Sequence, residues 1–79
     1  MTSRVVKSII ELEGMAMAGL LREARLEECP KPEGWKKLVV VDSEGVEYET
    51  KCVEDQAARR SFLVFSAYIS RWSDYIVKP

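Results

Sequence analysis

Residues 14–21 of this 79-residue chain read GMAMAGLL, and this segment constrains the fold more than any other. It lies in a stretch whose apolar residues recur at helical spacing, yet it contains two glycines. Glycine inside a helix costs about 1 kcal/mol relative to alanine, so a helix that retains two of them needs compensation. Close approach of a second helix provides it, because small residues let two backbones come near each other. The alternative is that Gly14 and Gly19 mark a kink or a break between two shorter helices.

The helical spacing predicts a first helix over about residues 3–28, with Ser3 as its N-cap. Between its charged ends this helix is apolar on all sides, which predicts neighbours on more than one side. We expect its middle to be a helix-packing or dimer seam. The residues of this predicted seam are Glu13, Gly14, Ala16, Met17, Gly19 and Leu20.

Glu13 lies within the predicted apolar arc of this helix. A carboxylate in such a position has to be paired, protonated or near the rim of an interface. One hypothesis is that Glu13 meets Arg60, on the last helix or in a second copy, and so fixes the helix register. The alternative is that the arc is less buried at this point.

The rest of the chain predicts a hairpin and a second helix. The CPKP sequence at 29–32 ends the first helix, and a Pro-rich elbow spans about residues 29–34. Residues 35–53 alternate as two strands around Asp42 and Gly45, which favour a type I turn with a G1 bulge. A last helix is predicted over about residues 54–76. Along one of its borders lie Arg60, Val64, Ala67 and Arg71.

These elements predict a small α+β fold in a single domain over residues 1–79. Its order is α-β-β-α, with two amphipathic helices packed on a two-stranded antiparallel hairpin. In a dimer the hairpin would extend to a larger sheet.

The two cysteines, Cys29 and Cys52, are too few for a disulfide-dense secreted miniprotein. We expect two reduced thiols, with a disulfide between them as the alternative. Glu11 and Glu13 interrupt the first aliphatic run before it can serve as a signal-peptide core, and the charge-free stretch 61–70 is too short to span a bilayer. The sequence therefore predicts a cytoplasmic protein without a membrane segment.

The residue types argue against catalysis. The chain has no histidine, so the commonest general base and nucleophile activator are both missing. The cysteines lack the spacing of a zinc site, and the glycines lack the spacing of a phosphate-binding loop. We expect no enzyme activity, no catalytic residue, no metal site and no cofactor.

By elimination, the sequence predicts a protein-interaction module that acts as an inhibitor, adaptor or regulator. Because 47% of so short a chain is hydrophobic, a shared interface and a homodimer are expected. Small solitary proteins of this kind are common in phages, viruses and other mobile elements, and such a source is part of the hypothesis. The predicted partner contacts are Met15, Ala18, Val39, Val41 and Leu63.

The alternative function is a small dimeric regulator that binds nucleic acid through a basic border of the last helix. Basic and aromatic side chains in proximity can neutralise phosphates and stack on bases. The chain has no helix-turn-helix, RNP or zinc-finger pattern, which places this alternative second. The predicted contact residues are Lys36, Lys37, Arg59, Arg60 and Arg71.

Overall fold

The computed structural model describes residues 4–76 of the chain, with side chains through residue 72. The elements in this range are β1 (Val5–Val6), α1 (Ile9–Met17), β2 (Leu21–Glu28), β3 (Lys36–Asp42), β4 (Glu47–Glu49) and α2 (Asp55–Ile76). The prediction of a small α+β domain is confirmed. Of the helices described, none is both long enough and apolar enough to cross a membrane.

The predicted helix over residues 3–28 is wrong, because β1, α1 and β2 occupy this segment. The predicted N-cap, Ser3, lies outside the described residues. Instead, Ser8 caps α1 and forms a reciprocal capping box with Glu11. Leu21–Glu28 forms a strand because it pairs along its length with β3, and this pairing outweighs the helical propensity of its Leu, Arg and Glu residues.

α1 ends inside the GMAMAGLL segment. Gly19 has a φ angle of +78°, in the left-handed region that glycine adopts most readily. The N–H of Gly19 donates to the carbonyl of Ala16, and the N–H of Leu20 donates to that of Met15. These two bonds form a Schellman motif. Gly19 therefore terminates the helix, and a strand follows.

The strands form a mixed sheet in the order β1-β4-β3-β2. β1 is parallel to β4, the other neighbours are antiparallel, and Val39 lies between Arg25 and Glu49. The predicted two-stranded hairpin is wrong as a complete sheet, because β3 and β4 are inner strands. The turn between them follows the prediction: the N–H of Gly45 donates to the carbonyl of Asp42, and Gly45 has a φ angle of +86°.

Both helices pack on one face of this sheet. The buried core residues are Leu12, Ala16, Leu21, Leu38, Val40 and Phe65. Because side chains alternate along a strand, Val39 points to the opposite face, which we call the open face.

The expectation of two reduced thiols is wrong, because Cys29 and Cys52 form a disulfide. Cys29 begins the predicted Pro-rich elbow, which is the loop between β2 and β3, and Cys52 precedes α2. The bond therefore ties the end of β2 to the segment that leads into α2. In this form neither thiol is free for catalysis or for zinc binding.

Candidate functional site

A groove runs along the junction of α1 and α2, where three cavities of about 160, 250 and 480 Å³ adjoin. Neighbouring cavities share Val64 at one junction and Tyr68 and Arg71 at the other, so the groove is continuous. We call it the α1–α2 groove. Its lining residues are Ile9, Glu13, Arg60, Ser61, Val64, Phe65, Ala67, Tyr68, Met17, Arg71 and Trp72.

Apolar side chains are exposed in and beside this groove. Met17 is 56% exposed and Val64 is 39% exposed, one on each helix. Ile10 is 77% exposed and lies one helical heptad before Met17, hence on the same side of α1. Exposed apolar surface of this kind marks interaction sites. The helical periodicity had placed Ile10 on the core side, because the arc also counted apolar residues that belong to β1 and β2 rather than to α1.

Arginines stand at both ends of the groove. Arg60 and Arg71 are eleven residues apart on α2, which corresponds to roughly 16 Å along the helix axis. Neither forms an ion pair with a carboxylate of the described residues. Glu13 lines the same cavity as Arg60, so the structure brings the two predicted partners together without an ion pair between them. The groove is therefore apolar along its floor, with Arg71 at one end and both Arg60 and Glu13 at the other.

Trp72 closes the Met17 end of the groove. Its indole Nε1–H donates to the carbonyl of Met17 over 3.3 Å, and its ring lies against Gly19. Close approach at a glycine, as predicted for the seam, thus occurs at Gly19, but the approaching helix is α2 of the same chain.

The other residues of the predicted seam are divided between core and surface. Ala16 is buried in the core, and Leu20 is 46% exposed. A Cβ atom added to Gly14 would meet no other atom within 4 Å, so open space lies over this glycine. The seam is therefore not one continuous surface of the folded chain.

One of the five predicted partner contacts is not available at the surface, because Val39 is fully buried. Met15 is half-buried and packs against the core. Val41 is half-buried, while Ala18 and Leu63 are exposed. The spacing of Arg60, Val64, Ala67 and Arg71 on α2 was the sequence signal that pointed to the groove.

An ion-pair network covers the open face. Arg4 forms a bidentate pair with Glu27 at 2.7 and 2.8 Å, and its Nε donates to Glu47 at 2.9 Å. Lys37 pairs with Glu49 at 2.9 Å. Hydrogen bonds from Arg4 lower the pKa of Glu27 and of Glu47, and the hydrogen bond from Lys37 lowers that of Glu49.

These carboxylates converge on a guanidinium of the chain itself. In the part of the chain that the structure describes, no group of three or more Cys, Asp and Glu residues is arranged to hold a metal ion. On the open face, Val39 lies between Arg25 and Glu49, whose side chains belong to the network, and it has no exposed surface. The network therefore acts as a cover over the central strand.

The five residues of the predicted nucleic-acid surface do not form one patch. Lys36 and Arg59 both pair with Asp55, at 3.1 and 2.7 Å, and Lys37 belongs to the network on the open face. Arg60 and Arg71 line the α1–α2 groove. Three of the five side chains thus pair with carboxylates of the chain, and the other two lie in a groove with an apolar floor.

A separate cavity of about 360 Å³ lies beside the N-terminus of α1 and is lined in part by Lys7 and Lys51. Ser8 and Glu11 already satisfy two of the backbone donors of this helix end, their own N–H groups, through the capping box. Lys7 also lies 3.8 Å from the Glu11 carboxylate. Side chains of the chain itself, including the carboxylate of Glu11, therefore already engage part of this helix N-terminus, where an anion would bind.

Comparison of the chain with protein-family models, with curated proteins and with solved structures finds no significant match. Functional inference therefore depends on the surfaces of the chain itself. Among these, the α1–α2 groove combines concavity, exposed apolar side chains and two arginines that form no ion pair within the described residues, and these are features of a binding site.

Proposed function

We propose that this protein is a non-enzymatic interaction module that binds a segment of another protein in the α1–α2 groove. The observation that carries the proposal is the exposure of Met17 and Val64 on facing helices, beside Arg60 and Arg71, which form no ion pair within the described residues. Filling the groove would remove this apolar surface from water. The protein would then act as an inhibitor, adaptor or regulator of the protein that supplies the segment.

The shape and charge of the groove fit an amphipathic helix. Helix-in-groove recognition places apolar side chains at positions i, i+3 or i+4 and i+7 against an apolar floor. The separation of Arg60 and Arg71 matches about three helical turns. Carboxylates near each end of the bound helix would pair with these arginines, and such pairs set orientation and association rate more than affinity.

A cytoplasmic location stays a prediction. The Cys29–Cys52 bond argues for a test of this location, because disulfides persist mainly in oxidising compartments and are rare in the cytosol.

Site-specific photo-crosslinking tests the proposal. A photoreactive amino acid in place of Ala67, which is exposed in the groove, should capture a protein when the chain is expressed in its source cells. Adding Val64→Glu should abolish the capture by placing a charge on the apolar floor. Leu63→Glu is the matched control, since Leu63 is 67% exposed on the same helix but does not line the groove. Circular dichroism checks that each variant is folded.

Three results would contradict the proposal. One is crosslinking that Val64→Glu leaves intact. Another is loss with Leu63→Glu and not with Val64→Glu, which would place the contact elsewhere on α2. The third is a crosslinked species that nuclease digests, which would favour the nucleic-acid alternative at Arg60 and Arg71.

A further inference from the structure

β2 is an edge strand, and its outer side pairs with no strand of the described residues. It is eight residues long, whereas the strand at the opposite edge, β1, has two. A long edge presents N–H and C=O groups that can pair with another chain. We propose that two copies of this protein pair along β2 in antiparallel orientation, so that their sheets become one continuous sheet.

The backbone hydrogen bonds show which groups of β2 point outward. The carbonyl of Leu38 accepts from the N–H of Thr50 over 3.0 Å, so it points toward β4 and away from Leu26, its neighbour on β2. In an antiparallel pair these directions alternate along each strand. Leu26 therefore directs its N–H and C=O to the free edge, and Ala24 and Glu28 do the same.

The charges of β2 are ordered for pairing with a second copy. Glu23, Arg25 and Glu27 alternate in sign on the open face, while Ala24 and Leu26 pack toward the core. Antiparallel pairing centred on Ala24 places each Arg25 opposite Glu23 of the other copy, which gives two cross-strand pairs of opposite charge. Pairing centred on Arg25 would place like charges opposite each other.

Glu23 is more available for this role than Glu27. Its side chain is 61% exposed, and its contact with Arg25 is 3.4 Å long. The Glu27 side chain is 29% exposed and is held by Arg4 through two short hydrogen bonds. In a register that pairs Arg25 with Glu27 of the other copy, Arg25 would compete with Arg4 for the Glu27 carboxylate. The register that pairs Arg25 with Glu23 is therefore favoured.

α2 leaves room for the second copy. It lies over β2 and β3, and its groove side, which carries Val64 and Arg71, faces α1. Ser66 and Ser70 lie on the other side of α2, one helical turn apart, by the rotation of 100° per residue. A strand spacing of about 5 Å across the joint would bring the two α2 axes to about 10 Å, a normal distance for packed helices. The two serines allow close approach, and Leu63, one heptad before Ser70 and 67% exposed, adds apolar surface on the same side.

Solution mass and edge variants test this pairing. Wild type should have twice the monomer mass of 9.0 kDa by sedimentation equilibrium. Ala24→Pro removes one outward N–H and no hydrogen bond within the sheet, so it should give a folded monomer. Glu23→Arg should also give a monomer, because the new arginine would lie opposite Arg25 of the other copy and the like charges would repel each other. Glu33→Arg is the control: the same charge change at an exposed loop residue should leave the dimer intact.

Mixing complementary variants tests the register. Glu23→Arg alone and Arg25→Glu alone each place like charges across the joint, whereas a mixture of the two restores opposite charges in both pairs. The mixture should recover the dimer mass that each variant lacks. A monomeric wild type overturns the proposal, and so does a dimer that survives both Ala24→Pro and Glu23→Arg. A dimer that only Val64→Glu dissociates would place self-association in the groove and would also overturn it.

Discussion

The indole ring of Trp72 lies so close to Gly19 that a Cβ atom on Gly19 would stand 2.8 Å from Trp72 Cδ2. The same ring donates a hydrogen bond to the carbonyl of Met17 in the last turn of α1. Gly19 thus has two roles: it ends α1 in the left-handed conformation, and it leaves room for a side chain of α2. Trp72 of α2 thus fixes the C-terminal end of α1.

Gly19→Ala should therefore destabilise the protein. The left-handed backbone alone costs a residue with a Cβ atom about 1–2 kcal/mol, and displacement of the Trp72 ring adds to this. We expect a lower urea midpoint with an unchanged slope, measured by circular dichroism.

Gly14→Ala is the matched control, because it makes the same substitution five residues earlier. Gly14 lies inside α1, and a Cβ atom there would meet no other atom within 4 Å. Removing glycine from a helix interior should stabilise the protein by about 1 kcal/mol. Equal effects of the two substitutions would contradict the different roles of the two glycines.

The network on the open face predicts acid sensitivity. Glu27, Glu47 and Glu49 have pKa values lowered from 4.5, chiefly by hydrogen bonds from Arg4 and Lys37. A lowered folded-state pKa contributes stability that is fully present above the unfolded value and is lost as the pH falls through the folded value. The melting temperature should therefore fall as the pH drops below about 4.5.

Arg4→Met tests the cause of this acid sensitivity. It should make the melting temperature less dependent on pH between neutral and acid conditions, because two of the three carboxylates then lose their main donor. Arg22→Met is the control, since Arg22 is exposed on β2 and forms no ion pair within the described residues. If both variants follow the wild-type profile, the network does not set the acid response.

The second half of the fold was predictable because its signals are local. The turn is specified by Asp42 and Gly45, and the aromatic-rich apolar arc of residues 54–76 describes α2 within one residue of its observed start. The first half of the fold was not predictable in this way, because Leu21–Glu28 contains strong helix formers and becomes a strand only by pairing with β3. Two local signals were nevertheless present: the capping box at Ser8 and the terminating glycine.

The same error limited the prediction of the site. The α2 wall of the groove follows from the spacing of Arg60, Val64, Ala67 and Arg71, which depends only on a helix that was correctly predicted. The α1 wall depends on where that helix begins and ends, because the predicted apolar arc also counted residues that belong to β1 and β2. The Arg4 network joins residues more than twenty positions apart, and no local pattern identifies such contacts.

Asp42→Ala should destabilise the turn between β3 and β4. Asp42 Oδ1 accepts from the backbone N–H groups of Glu44 and Val46 at 2.8 and 2.9 Å, and Oδ2 accepts from the Tyr48 hydroxyl at 3.0 Å. Loss of these acceptors leaves donors without partners at a residue that is 8% exposed, so we expect a cost of about 1–3 kcal/mol in urea unfolding. Ser43→Ala, at the next and exposed position, should have little effect.

The Cys29–Cys52 bond predicts a dependence on reductant. It closes a loop with a sequence separation of 23 residues, and a cross-link of this length stabilises a fold by about 3 kcal/mol, largely through the unfolded chain. Adding reductant should therefore lower the urea midpoint of the wild type. Cys29→Ala combined with Cys52→Ala should show the lower midpoint at the start and no response to reductant. Titration of the denatured wild type, prepared without reductant, should find no free thiol, whereas two thiols per chain would show that the bond does not form.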